Sequence, residues 1–122
     1  MDHRKLFLAI ASFTVGLGAF NVHAQDPVTV CPRNFTVLAE DETTRVLHFV
    51  QRKGETCGMH SHPYLVAYVI KPGQLTFALP DGTKQQGPKV NAGDVVQRPP
   101  TTHAHDAVSD DSEAIVVELK KR

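Results

Sequence analysis

Two histidine pairs, His60-Ser61-His62 and His103-Ala104-His105, are the residues of this 122-residue sequence best suited to chemistry. Alternate residues of a β-strand project from one face, so each pair would present two imidazoles side by side if its segment is extended. Neutral imidazole is the commonest side-chain ligand of divalent transition metals. Two imidazoles from one strand and a third from a neighbour can hold such an ion and leave positions open for another molecule. The remaining histidine after Ala24, His48, shares a strand face with Val46 and Val50 and reads as a core histidine or as one pointing toward the site. Tyr64, Tyr68 and Phe77 read as core or pocket lining, and Gln97 as a group reaching inward. Arg98 and Lys53 are the cations best placed in sequence to meet a bound anion, with plain surface charge as the alternative.

The segments that must position these side chains read as strands. Arg45–Arg52 alternates, and Tyr64–Ile70 is nearly all apolar, as a strand buried on both faces would be. Gln74–Leu79 alternates and ends in Pro80-Asp81-Gly82-Thr83, a strong turn signal. Asp94–Arg98 and Ala114–Lys120 complete the set, with turn signals at Lys53-Gly54, Lys71-Pro72-Gly73, Gly87-Pro88 and Ala92-Gly93. No window after Ala24 has a helical period. Many short strands at regular spacing predict an all-β sandwich, jelly roll or barrel.

On these residues the chain resembles the cupin family. That family's first motif is Gly, five residues, His-X-His, three or four residues, Glu, six residues, Gly. Here Gly54, His60, His62, Val66 and Gly73 keep every spacing, with Val66 where the family has Glu. The second motif is matched by Gly93 and Pro99, while Thr101 replaces a Gly and the strict His position falls on Ala104, between His103 and His105. The resemblance spans about Phe35 to Lys120. It implies a single-domain cupin-type β-barrel, a jelly-roll-like double sheet, over residues 35–122. It also implies one divalent transition metal (Fe, Zn, Mn, Ni or Cu) on His60, His62 and His103, with His105 as a further or alternative ligand, and a homodimer. Pro63–Ile70 contains no acid, so Val66→Glu is the substitution expected to tighten metal binding. Three neutral ligands would leave the metal's charge uncompensated and favour an anionic, chelating substrate.

The first 24 residues follow another logic. Arg4 and Lys5 precede an apolar run from Leu6 to Phe20, and Val22-His23-Ala24 suits a signal peptidase. The expectation is a cleaved signal peptide over 1–24, an extended lead-in over 25–34, and a periplasmic or secreted protein with no membrane attachment after cleavage. Removing Asp2, Arg4 and Lys5 with the leader takes 13 basic and 13 acidic side chains to 11 and 12. No basic stripe exists to bind a nucleic-acid backbone. Export makes a Cys31–Cys57 disulfide plausible. Three functions fit: a metal-dependent enzyme on a small molecule, an oxidoreductase of three-histidine dioxygenase type being the nearest analogue; a barrel that captures a metal or small ligand without turnover; or a metal-free structural barrel.

Overall fold

The computed structural model describes residues 25–121, so the expected leader lies outside the described residues. The lead-in is not wholly extended: Pro27–Val30 forms one helical turn, α1. Asp26 caps it, its carboxylate accepting from the Val28 N–H at 2.8 Å. Pro27 occupies the first turn, where a missing N–H costs nothing. Nine strands follow among the described residues: β1 Phe35–Glu40, β2 Thr44–Gln51, β3 Cys57–His62, β4 Leu65–Lys71, β5 Thr76–Ala78, β6 Lys84–Gln86, β7 Val95–Arg98, β8 Thr101–His105 and β9 Ser112–Leu119.

The strands form two antiparallel sheets, one of order β1-β2-β9-β4-β7 and the other β3-β8-β5-β6. This is the double-sheet form of the expected all-β fold, without a ladder closing it into a barrel among the described residues. Alternation decides which side chains meet between the sheets. In β9, Ser112, Ala114, Val116 and Glu118 are buried while their neighbours are half-exposed. In β2, Leu47, Phe49 and Gln51 face inward, which puts His48 on the outer face with Val46 and Val50. The apolar part of the core gathers Phe35, Leu47, Phe49, Leu65, Ala114 and Val116.

Two expectations change here. β4 is buried on one face only: Leu65 and Val69 are buried, whereas Tyr68 and Ile70 are exposed. Its branched and aromatic residues mark strand propensity rather than two-sided burial. Gln97 is exposed, since the inward positions of β7 fall to Val96 and Arg98. Cys31 and Cys57 form a disulfide, as expected, with a Cα–Cα distance of 5.7 Å. It ties the end of α1 to the start of β3, the strand that carries the first histidine pair.

Candidate metal centre

A β-bulge sets the inward phase of β3. Cys57 pairs with His105 and His60 with His103, so three steps on β3 match two on β8. The extra residue lets Cys57 and His60 both face inward despite their odd separation. His62 then follows His60 by ordinary alternation, and His103 and His105 alternate on β8. All four imidazoles are buried, His60 completely. The His60 ring centroid lies 4.8 Å from that of His62 and 4.9 Å from those of His103 and His105.

Hydrogen bonds to the outer ring nitrogens decide which atoms face one another. His60 Nδ1 donates to the Gly58 carbonyl at 2.7 Å, which leaves Nε2 as a buried acceptor with no partner. His105 Nδ1 lies 3.0 Å from Gln51 Oε1. The Gln51 amide is oriented by its own bonds to the carbonyls of Glu55 (2.6 Å) and Asp106 (2.9 Å), so its oxygen accepts and His105 Nδ1 donates. His105 Nε2 therefore carries a lone pair, 3.3 Å from His103 Nε2. One nitrogen each from His60, His103 and His105 lie within 4.8 Å of one another. A buried polar atom left unpaired costs about 1–3 kcal/mol, and a cation among these nitrogens would satisfy the orphaned His60 Nε2. The donor set fits a divalent transition metal.

His62 sits beside this trio, its ring 5.6 Å from that of His103. Its Nδ1 bonds Glu118 Oε2 at 2.7 Å. A carboxylate behind an imidazole fixes the ring's tautomer and direction, the usual support of a metal-binding histidine. Glu118 is 1% exposed and is itself held by Arg45, through Nε at 2.8 Å and Nη2 at 2.7 Å. Arg45 in turn reaches Asp26 at 2.6 Å. Burial opposes the Arg45 charge, but Asp26 and Glu118 more than offset it and hold the guanidinium's pKa above its ordinary value. The chain Asp26–Arg45–Glu118–His62, half-buried at Asp26 and Arg45 and buried at Glu118 and His62, thus joins the lead-in, β2 and β9 to the cluster.

Burial, and then the charges of neighbouring histidines, keep the trio neutral. Burial is the main cause that lowers His60 from 6.5 to about 4, against the Gly58 hydrogen bond. Burial and the proximity of His60, His62 and Arg98 lower His103 to about 3, and His105 lies well below its ordinary value for the same kind of reason. Neutral imidazole is the ligating form.

Sequence reasoning missed Glu118. Its signal was an acid on the inward phase of the β9 run, in step with Ala114 and Val116. The position aligned with the family's Glu behaves otherwise than expected. Val66 shares the outer face of β4 with Tyr68 and Ile70, while Ala67 lines the pocket. A carboxylate at 66 would point away from the histidines. His48 is neither core nor site: it bonds Glu113 at 2.9 Å on the outer side of β2. Cys57 lies near His60, but both cysteines are consumed by the disulfide and offer no thiolate.

An apolar cavity of about 120 Å³ opens beside the cluster. His62, His103 and His105 form one wall, and Phe35, Phe49, Leu65, Phe77 and Val116 much of the rest. Phe77 stacks on His103 with centroids 4.5 Å apart and planes inclined by 19°.

No protein-family model matches the sequence, and no curated protein matches it as a sequence relative. Solved structures do resemble it. A cupin domain from Bordetella pertussis Tohama I superposes with a TM-score of 0.62 at 21% identity, covering 71% of this chain and 92% of that one. An RmlC-like cupin family protein with a double-stranded β-helix fold, from Methanocaldococcus jannaschii, gives 0.52 at 26% identity over 70% and 80%. A cupin superfamily protein from Desulfitobacterium hafniense gives 0.53 at 14% identity over 71% and 76%.

Proposed function

This chain being a small protein of the cupin superfamily, we propose that its histidine cluster is a divalent transition-metal centre serving a small molecule held in the adjoining pocket. The observation that carries the reading is the buried, unpartnered His60 Nε2 facing the inner nitrogens of His103 and His105. His60, His103 and His105 would hold the ion, with His62, braced by Glu118, as the adjacent fourth imidazole. A bound ion there would supply a Lewis acid and, if it is iron or manganese, a redox centre for chemistry of the dioxygenase type.

The chain's own residues define what surrounds that chemistry. Gly58, Gln51 and Glu118 fix the tautomers of His60, His105 and His62. Phe35, Phe77 and Leu65 exclude water from one side. Among the described residues lining the pocket the only carboxylate is Glu113, and it is engaged by His48. With His60, His103 and His105 assigned to the ion, His62 backed by Glu118 is the remaining acid–base group of the pocket wall, and the site suits redox chemistry of the dioxygenase type. It suits capture without turnover equally well, and this is the second reading. The disulfide supports an oxidising compartment, in keeping with export to the periplasm or beyond.

Cobalt(II) titration followed by visible absorption tests the reading. One equivalent should develop saturable ligand-field bands, and azide should perturb them if positions stay open. Bands that never saturate, or that persist unchanged in a His60→Ala, His103→Ala variant, would overturn it.

A further inference from the structure

Arg98 is the unexplained charge of the pocket. It lies on β7, half-buried, with its guanidinium 4.4 Å above the Phe77 ring. Beyond that cation–π contact, its side chain makes no ion pair and no hydrogen bond among the described residues. Arg45, comparably placed between the sheets, is met by two carboxylates. Burial lowers the Arg98 pKa, as expected for a cation that has lost water without gaining a counterion. The other cation lining the pocket, Lys71, already faces Glu113 at 3.9 Å. Among the described residues lining the pocket, Arg98 is therefore the cation without an acidic partner, and its field reaches His103 and His105.

Away from the histidines much of the wall is apolar, with Leu65, Val69, Leu75, Val96 and Val116 among its members. An apolar cavity of about 150 Å³ accommodates benzene, so the 120 Å³ here, open at its mouth, suits a body no larger than that ring or a branched chain of four to five carbons. A guanidinium fork pairs with a carboxylate through two parallel hydrogen bonds. A second carboxylate beyond a ring-sized body would exceed the space the cavity offers.

We propose that the pocket takes a small monocarboxylate, its carboxylate on Arg98 and its apolar body between the sheets beside the histidines. The inference names the substrate class of the proposed centre, and it rests on reading this cavity as that centre's ligand chamber. Phe77 links the two parts, stacked on His103 by one face and covered by Arg98.

Calorimetric titration of the full chain with benzoate, benzamide, acetate and terephthalate tests it, with and without one equivalent of zinc. Benzoate should bind at least tenfold more tightly than each of the other three. Arg98→Gln should weaken benzoate by about 10- to 100-fold, the range of a charge-assisted pair, and leave benzamide within twofold. Arg98→Lys, which keeps a point charge, should recover part of the loss. Thermal melts of both variants establish that they fold. Equal binding of benzoate and benzamide, equal loss of both in a folded Arg98→Gln, or no binding of benzoate would overturn the proposal. Carboxylate selection without stoichiometric zinc would sustain the assignment of Arg98 and sink the metal centre. Zinc binding without carboxylate selection would do the reverse.

Discussion

At Glu118 one buried carboxylate serves two partners: Oε2 takes the His62 Nδ1 bond and Oε1 takes Arg45. Removing it strips buried His62 of its acceptor and leaves Arg45 with Asp26 alone, and breaking a buried ionic pair costs about 3–5 kcal/mol. Glu118→Ala should lower stability by that amount in denaturant titrations, whereas Glu113→Ala, at the half-exposed pair with His48, should cost under about 1 kcal/mol. Losing the carboxylate behind His62 should also weaken metal binding by about 10- to 100-fold. The histidine pairs could be read from the sequence because i, i+2 spacing on a strand is a one-dimensional signal. Glu118 could not be tied to His62, since 56 residues separate them and only the β9 register brings them together. Val66 misled because matching a motif by spacing gives no strand phase, and the phase of β4 turns residue 66 outward and 67 inward.

At the scale of elements, the disulfide and the β3 bulge place the first histidine pair. Bridging a separation of 26 residues stabilises by about 3–4 kcal/mol in the chain-entropy model. Replacing both cysteines by serine should cost about that much, measured by chemical unfolding with and without reductant. The wild type plus reductant should converge on the variant. Gly87 makes a second test. A Cβ there would stand 2.9 Å from Phe77 Cε2 and 3.0 Å from the Leu75 carbonyl oxygen. Gly87→Ala should therefore displace the Phe77 ring that stacks on His103 and destabilise by about 1–3 kcal/mol. Alternation and turn residues located β2, β4, β5, β7 and β9 in the sequence. The helical turn at Pro27–Val30 escaped because one turn has no period to detect; only its cap, Asp26-Pro27, betrays it. The bulge escaped because nothing local in Gly58-Met59 says that a residue is extra.

At the scale of the molecule, three neutral imidazoles buried between two sheets make stability depend on pH. His60 and His103 titrate near 6.5 when unfolded but are lowered to about 4 and about 3 by burial. Above pH 6.5 neither state takes up the proton. Below it the unfolded chain does and the folded one does not, so the metal-free protein should lose stability from pH 6.5 down to about 4, and for His103 to about 3. Each such group contributes up to about 1.4 kcal/mol per pH unit. The carboxylate of Asp41 acts in a lower window, since backbone hydrogen bonds from Thr44 and Thr43 hold it at about 2. Melting curves at pH 7, 5.5 and 4.5 measure the effect. A flat profile across that window would mean the histidines are not buried as described.

The central claim is that these histidines hold a metal, and elemental analysis of the protein purified without chelator or affinity metal tests it most directly. The account predicts close to one divalent transition-metal ion per chain, and loss of that ion in His60→Ala and in a His103→Ala, His105→Ala double variant that retains the wild-type far-ultraviolet circular dichroism. A substoichiometric trace in the wild type that zinc, iron, manganese, nickel or copper cannot raise to one equivalent would contradict it, and so would a full equivalent that survives in both variants.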